Sequence, residues 1–157
     1  MRKFLCSLLM LCSTIALANE AVNSEIKSFS DEQKVQIPCP FGFSVEPNPS
    51  ADNSLIYLSS DETLAISVTS IHPLKNQTID SQSYAKVAAS QMQCAMPTKS
   101  NLIDKAWSFD CADYGTEAIV YGQDNEIVLL TISGRNPKNE QQLEEFVRFL
   151  AYQAKSK

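Results

Sequence analysis

The sequence predicts an α+β fold, an antiparallel sheet flanked by two helices in a layered sandwich. Three observations predict it. Short runs with strand patterning follow one another through short links, and short links require antiparallel pairing. Two helical patterns interrupt the strands, one near the middle and one at the end, giving the order strands, helix, strands, helix. Glu126 to Ser133 is apolar on both faces, as a strand in the middle of a sheet must be.

The elements follow in chain order. Residues 19–33 are polar and aperiodic and read as a flexible N-terminal arm. Lys34 to Ile37 can start a strand, and Phe43 to Glu46 continues extended after Gly42. Pro47-Asn48-Pro49-Ser50, with Asp52-Asn53, is a dense turn signal. Leu55 to Leu58 is a short strand. Thr63 to Ile71 is the best alternating one, with Leu64, Ile66 and Val68 on one face. His72-Pro73 ends it. Asp80 or Ser81 can cap a helix to about Cys94, because Pro97 forbids much continuation. Tyr84, Val87, Gln91 and Cys94 fall at helical spacing on it, beside Ala88 and Met92.

Ala106 to Ala112 is a strand and Asp113-Tyr114-Gly115 a turn. Thr116 to Tyr121 and Glu126 to Ser133 are strands joined by a hairpin loop over Gly122 to Asn125. In the last helix, Asn136 is the expected N-cap, Pro137 suits the first helical position, and Glu140 complements the positive dipole end. Leu143, Phe146, Val147 and Leu150 form one apolar stripe at i, i+3, i+4 and i+7, which should cover a sheet face.

Ahead of these elements, residues 1–18 read as a signal peptide. Arg2 and Lys3 make a positive n-region, Phe4 to Ala16 is apolar, and Ala16-Leu17-Ala18 is a cleavage box. Cleavage between Ala18 and Asn19 would leave a single α+β domain over 34–157 behind the arm, in the periplasm or secreted. The apolar run is short of the roughly 20 residues of a membrane span, so no stable membrane insertion is expected. Leu11 before Cys12 does not suit a lipoprotein signal. Asn76-Gln77-Thr78 would be a glycosylation acceptor in a eukaryotic secretory context.

The chain carries 18 acidic and 13 basic residues, and loss of Arg2 and Lys3 would take the formal charge from −5 to −7. Such a balance argues against nucleic acid as a partner, since phosphate backbones are held by clustered Lys and Arg. It suits solubility or a basic protein partner.

Once Cys6 and Cys12 leave with the leader, Cys39, Cys94 and Cys111 remain. Side-chain direction favours Cys94–Cys111. Trp107, Phe109 and Cys111 alternate onto one apolar strand face, and Cys94 continues the inward helical positions. Cys39, between Pro38 and Pro40, is then either a buried inert thiol or a partner in an intermolecular disulfide.

No catalytic site is expected, and no cofactor. His72 is the only histidine and would have to serve any Cys–His pair, most simply with Cys39, but its place before Pro73 reads as a strand end. Met92, Cys94 and Met96 put three sulfurs at alternate positions, a ligand type that favours copper(I), with His72 a distant fourth. A disulfide at Cys94 excludes that use. Asp110 and Asp113 flank Cys111, and Asp124 and Glu126 flank a hairpin, with the look of solvated turn residues rather than a calcium loop. Trp107 reads as a core anchor.

The element order, with the Phe41-Gly42-Phe43 opening before a hairpin, resembles the PsbP-like fold family. That family pairs antiparallel sheets with flanking helices and includes photosystem accessory proteins and bacterial periplasmic proteins. The resemblance covers most of the mature chain, implies a mostly non-enzymatic role, and carries no site residue onto this sequence. The expected function is that of an exported, non-enzymatic protein-binding or envelope-accessory domain, possible forms including an inhibitor or immunity-type protein. Its partner would be another envelope or secreted protein. The alternative is a periplasmic small-ligand or copper carrier using Met92, Cys94 and Met96.

Overall fold

A computed structural model describes residues 37–74, 77–123 and 126–155. The segments read as a signal peptide and an N-terminal arm, residues 34–36 of the first expected strand, Asn76 and Asp124 lie outside the described residues. Within the compact unit Pro38–Lys157, hydrophobic alternation is converted into a seven-stranded antiparallel sheet. The strands are β1 (Phe43–Pro47), β2 (Ser54–Ser59), β3 (Ala65–Ile71), β4 (Thr98–Lys99), β5 (Trp107–Cys111), β6 (Thr116–Gln123) and β7 (Glu126–Ser133). The helices are α1 (Ser81–Gln91) and α2 (Glu140–Lys155), and a short 3-10 turn covers Ala112–Tyr114. The class is α+β, as the sequence predicts. The spatial order is β1-β2-β3-β7-β6-β5-β4, so β7, the strand apolar on both faces, is the middle one.

Alternation along β7 assigns the two layers. Leu130 and Ile132 face Leu143 and Phe146 of α2, in a core that also holds Tyr57, Leu64, Ile66, Ala106 and Ile119. Ile127 and Leu129 face the other way, toward Ala85, Ala88 and Ala89 of α1, with Phe109, Cys111, Ala118 and Val120. Phe146 is the centre of the first core, its ring 4.9 Å from that of Tyr57 and 5.2 Å from that of Phe43. Edge-to-face and tilted pairs of this kind add to plain area burial. The second core is built on alanines, whose small side chains let α1 lie close on β5 and β6.

Several boundaries differ from expectation for local reasons. The inward stripe of α1 is Ala85, Ala88 and Ala89, and Val87 is 54% exposed. Asp80 is the N-cap, its carboxylate accepting from the Ser83 N–H at 2.9 Å. The helix stops at Gln91, three residues before Cys94. Gln93 adopts φ +57°, the Cys94 N–H donates to the Ala89 carbonyl at 2.8 Å, and that of Gln93 donates to Ser90. This is a Schellman closure with glutamine where glycine is usual.

The second helix likewise begins at Glu140, not beside Asn136. The Asn136 side-chain oxygen takes the Lys138 N–H at 2.9 Å, which folds residues 136–138 into a turn. Pro137 therefore lies in that turn rather than at the first helical position. Buried Asn139 bridges the junction, accepting from the Asn136 N–H and donating to the Gly134 carbonyl, both at 2.9 Å. The edge strand β4 was not expected, because two residues are too few to show a period. Gly122 and Gln123 belong to β6 rather than to the hairpin loop.

Candidate functional site

Strand register places a distinctive set of side chains at one end of the sheet. Phe43, Ser59, Ala65, Ser133, Thr116 and Cys111 are the strand ends that meet there. The turns that project from this end carry Phe41, Asp61, Glu62, Asp113, Tyr114 and Arg135. The Ala95 N–H donates to the Asp110 carbonyl at 2.9 Å, which brings Met96 to the same end. Phe41 is fully exposed, Met96 is 76% exposed and Tyr114 71%. Burying such side chains is the default, so three at one end of a sheet form a marked surface.

Between β5, β6 and β7 this end opens into a cleft of about 280 Å³, lined by Asp110, Cys111, Thr116, Glu117, Ile132 and Arg135 with Ala112 and Gly115. Asp110 and Glu117 are cross-strand partners, so both carboxylates leave the same face. Arg135 reaches in from the chain after β7. Its guanidinium donates to Glu117 and, bidentately, to Glu140, with the Nε contact at 3.0 Å. Its pKa is raised, chiefly by the hydrogen bonds to Glu140, and the same contact lowers that of Glu140. The triad of one cation and two anions has a net charge of −1. Asp110 stands beside it, exposed and in no ion pair among the described residues, and Asp113 follows on the 3-10 turn. The cleft therefore favours a positive group.

Behind the cleft, on the α1 face of the sheet, the end of β5 is tied covalently. Cys94 and Cys111 are joined in a disulfide, as side-chain direction predicts. The Schellman closure after α1 makes the pairing possible, because it turns Cys94 back onto the end of β5. The bond pins the helix end to the strand end beside Asp110.

The other sequence candidates are not brought together. Cys39 is exposed, not buried as one reading of the sequence expects, because it precedes β1 outside the core; its thiol donates to the Phe43 carbonyl at 3.1 Å, and desolvation pushes its pKa up, which disfavours a thiolate. It lies near the start of β1, at the end of the sheet where β3 begins. His72 follows the far end of β3, so the seven residues of that strand separate them by roughly 20 Å. They form no nucleophilic pair. Cys94 is oxidised and so withdrawn from the copper set, and Met92 packs in the alanine core while Met96 faces solvent. No group of three or more His, Cys, Asp or Glu among the described residues is arranged to hold a metal. Glu126 opens β7 away from the cleft, and Trp107 is half-buried against the α1 core.

Thr116, Glu117 and Arg135 were invisible as site residues in the sequence. Nothing in their spacing links positions 116–117 to 135, which only the β6–β7 pairing brings together. Comparison of the chain with protein families, with curated proteins and with solved structures gives no match.

Proposed function

We propose that this chain is an exported, non-enzymatic protein-binding or envelope-accessory domain, of the kind that an inhibitor or immunity protein represents. The observation that carries the reading is the exposure of Phe41, Met96 and Tyr114 at one end of the sheet, among the acids Asp61, Glu62, Asp110 and Asp113. Aromatic anchors ringed by charge are the usual composition of a protein-recognition surface. From β1 to β5 the strands span roughly 24 Å at ordinary inter-strand spacing, a width that suits a standard-size interface. The leader pattern and the disulfide support residence in an oxidising compartment. The element order supports a PsbP-like assignment, and with it an accessory role.

The test is native mass spectrometry of the protein released gently from its own envelope, without reductant. The expected result is a species carrying a second polypeptide, which dissociates as salt is raised and is lost in a Phe41→Ser, Tyr114→Ser double variant. A bare monomer, or a complex untouched by the double variant, sinks the proposal.

The copper-carrier alternative rests on Met92, Met96 and a reduced Cys94, and applies only to protein whose Cys94–Cys111 bond is open. No structural observation favours it. Absence of a copper(I) adduct on the fully reduced protein would end it.

A further inference from the structure

We infer that the cleft between Asp110, Thr116, Glu117 and Arg135 is the recognition pocket for a lysine or arginine side chain presented by the partner polypeptide. The inference rests on the protein-binding reading and adds a location and a partner chemistry to it.

Three independent features converge on this pocket. The first is shape: a cleft of about 280 Å³ lies among the ends of three strands, with room for the end of a long basic side chain. The second is charge. Glu117 already holds one guanidinium, that of Arg135, and shares it with Glu140, while Asp110 keeps a carboxylate with no ion-pair partner on the same sheet face. A second cation entering between Asp110 and Glu117 meets the Asp110 carboxylate and the Glu117 oxygen that Arg135 does not engage. The third is the apolar rim. Exposed Tyr114 stands on the 3-10 turn whose Ala112 lines the cleft, and exposed Met96 lies at the same end of the sheet. The Cys94–Cys111 bond, on the α1 face, ties the end of β5 to the end of α1 before the partner arrives, which lowers the ordering cost of binding.

An anionic partner is disfavoured on the same residues. Among the described residues, the only cation lining the cleft is Arg135, and both of its edges are taken by carboxylates. A phosphate or an acidic peptide would meet Asp110 and Glu117 first.

The experiment uses the disulfide-intact protein labelled with nitrogen-15. The probes are a lysine octapeptide and the same peptide with every side chain acetylated. The expected result is a set of amide shifts at Asp110, Tyr114, Thr116 and Glu117 with the charged peptide and none with the acetylated one. Asp110→Asn should weaken the charged peptide about five-fold, whereas Glu144→Gln, which removes the same charge from the exposed face of α2, should weaken it less than about two-fold. Asp110 is exposed and in no ion pair, so its variant should fold as the parent does. Shifts spread evenly over the acidic residues, or equal losses from the two variants, overturn the pocket. The same Asp110→Asn variant separates the two readings in the native complex. A complex that forms and ignores it overturns the pocket and leaves the binding-domain reading standing. No complex at all, with the peptide still held at the cleft, overturns the binding-domain reading and leaves the cleft's preference for cations intact.

Discussion

Gly134 has φ +82°, and a Cβ built on it would lie 2.1 Å from the Thr63 carbonyl oxygen. The position needs both the left-handed conformation and the absence of a side chain, since backbone from the β2–β3 turn approaches it. Gly134→Ala should therefore cost about 1–3 kcal/mol, seen as a lower urea midpoint with an unchanged slope. An unchanged midpoint would mean that the two turns are free to separate. The neighbouring Asn139 secures the same junction from the helix side, so strain at Gly134 would also loosen the Arg135 clamp that follows it. Ser59 and Asp61 show the same economy in the facing turn: one Asp61 oxygen accepts from the Ser59 hydroxyl at 2.6 Å and from the Thr63 N–H at 3.2 Å. These contacts lower the Asp61 pKa, the Ser59 hydroxyl contributing most.

At the scale of elements, α1 depends on its two ends more than on its length. Eleven residues form a short helix, and its buried face is alanine, so little apolar area holds it to the sheet. The Asp80 cap and the disulfide supply what the face does not. Asp80→Ala should lower the midpoint of the same urea titration, because the Ser83 N–H loses its cap. Replacing Cys94 and Cys111 together by serine should cost about 3 kcal/mol through the freed loop, whose ends are 17 residues apart. Hydrogen exchange should then speed first in α1 and around residues 92–97, with β3 and β7 still protected. Uniform acceleration across all strands would show instead that the bond stabilises the whole unit. In α2, by contrast, Leu143 and Phe146 are almost wholly buried, so that helix is held by its own stripe.

At the scale of the molecule, stability should fall at both ends of the pH range, for opposite reasons. Glu140, Asp61 and Asp80 have folded pKa values below their ordinary ones, through hydrogen bonds from Arg135, Ser59 and Ser83 first. A lowered carboxylate stabilises the fold above its ordinary value, and the contribution is lost as pH falls through the folded value. For the two aspartates the loss begins as pH drops toward 3.8. Tyr121 behaves in the other sense. Desolvation pushes its pKa from 10.0 up to about 12, so its contribution is complete below pH 10 and is lost as pH rises toward 12. Chemical denaturation across pH should show both declines, and Tyr121→Phe should reduce the alkaline one. An alkaline limb identical in that variant would place its origin elsewhere, Tyr57 and Tyr84 being raised by burial as well.

By itself the sequence determined the fold class, the central place of β7, the two helices and the Cys94–Cys111 pair. Each of these follows from periodicity or side-chain direction over consecutive residues, which is local information. The apolar doubling of Ile127 to Ile132 announces burial on both faces, whatever the strand's neighbours are. Tertiary structure alone decided where the chain offers a site. Thr116, Glu117 and Arg135 meet because β6 and β7 pair, and the exposure of Phe41, Met96 and Tyr114 depends on what does not cover them. It also separated Cys39 from His72, since a strand carries its two ends far apart. Residues joined by sequence spacing report on backbone geometry, whereas a cleft at the end of a sheet is made by non-local pairing, which no run of neighbouring residues encodes.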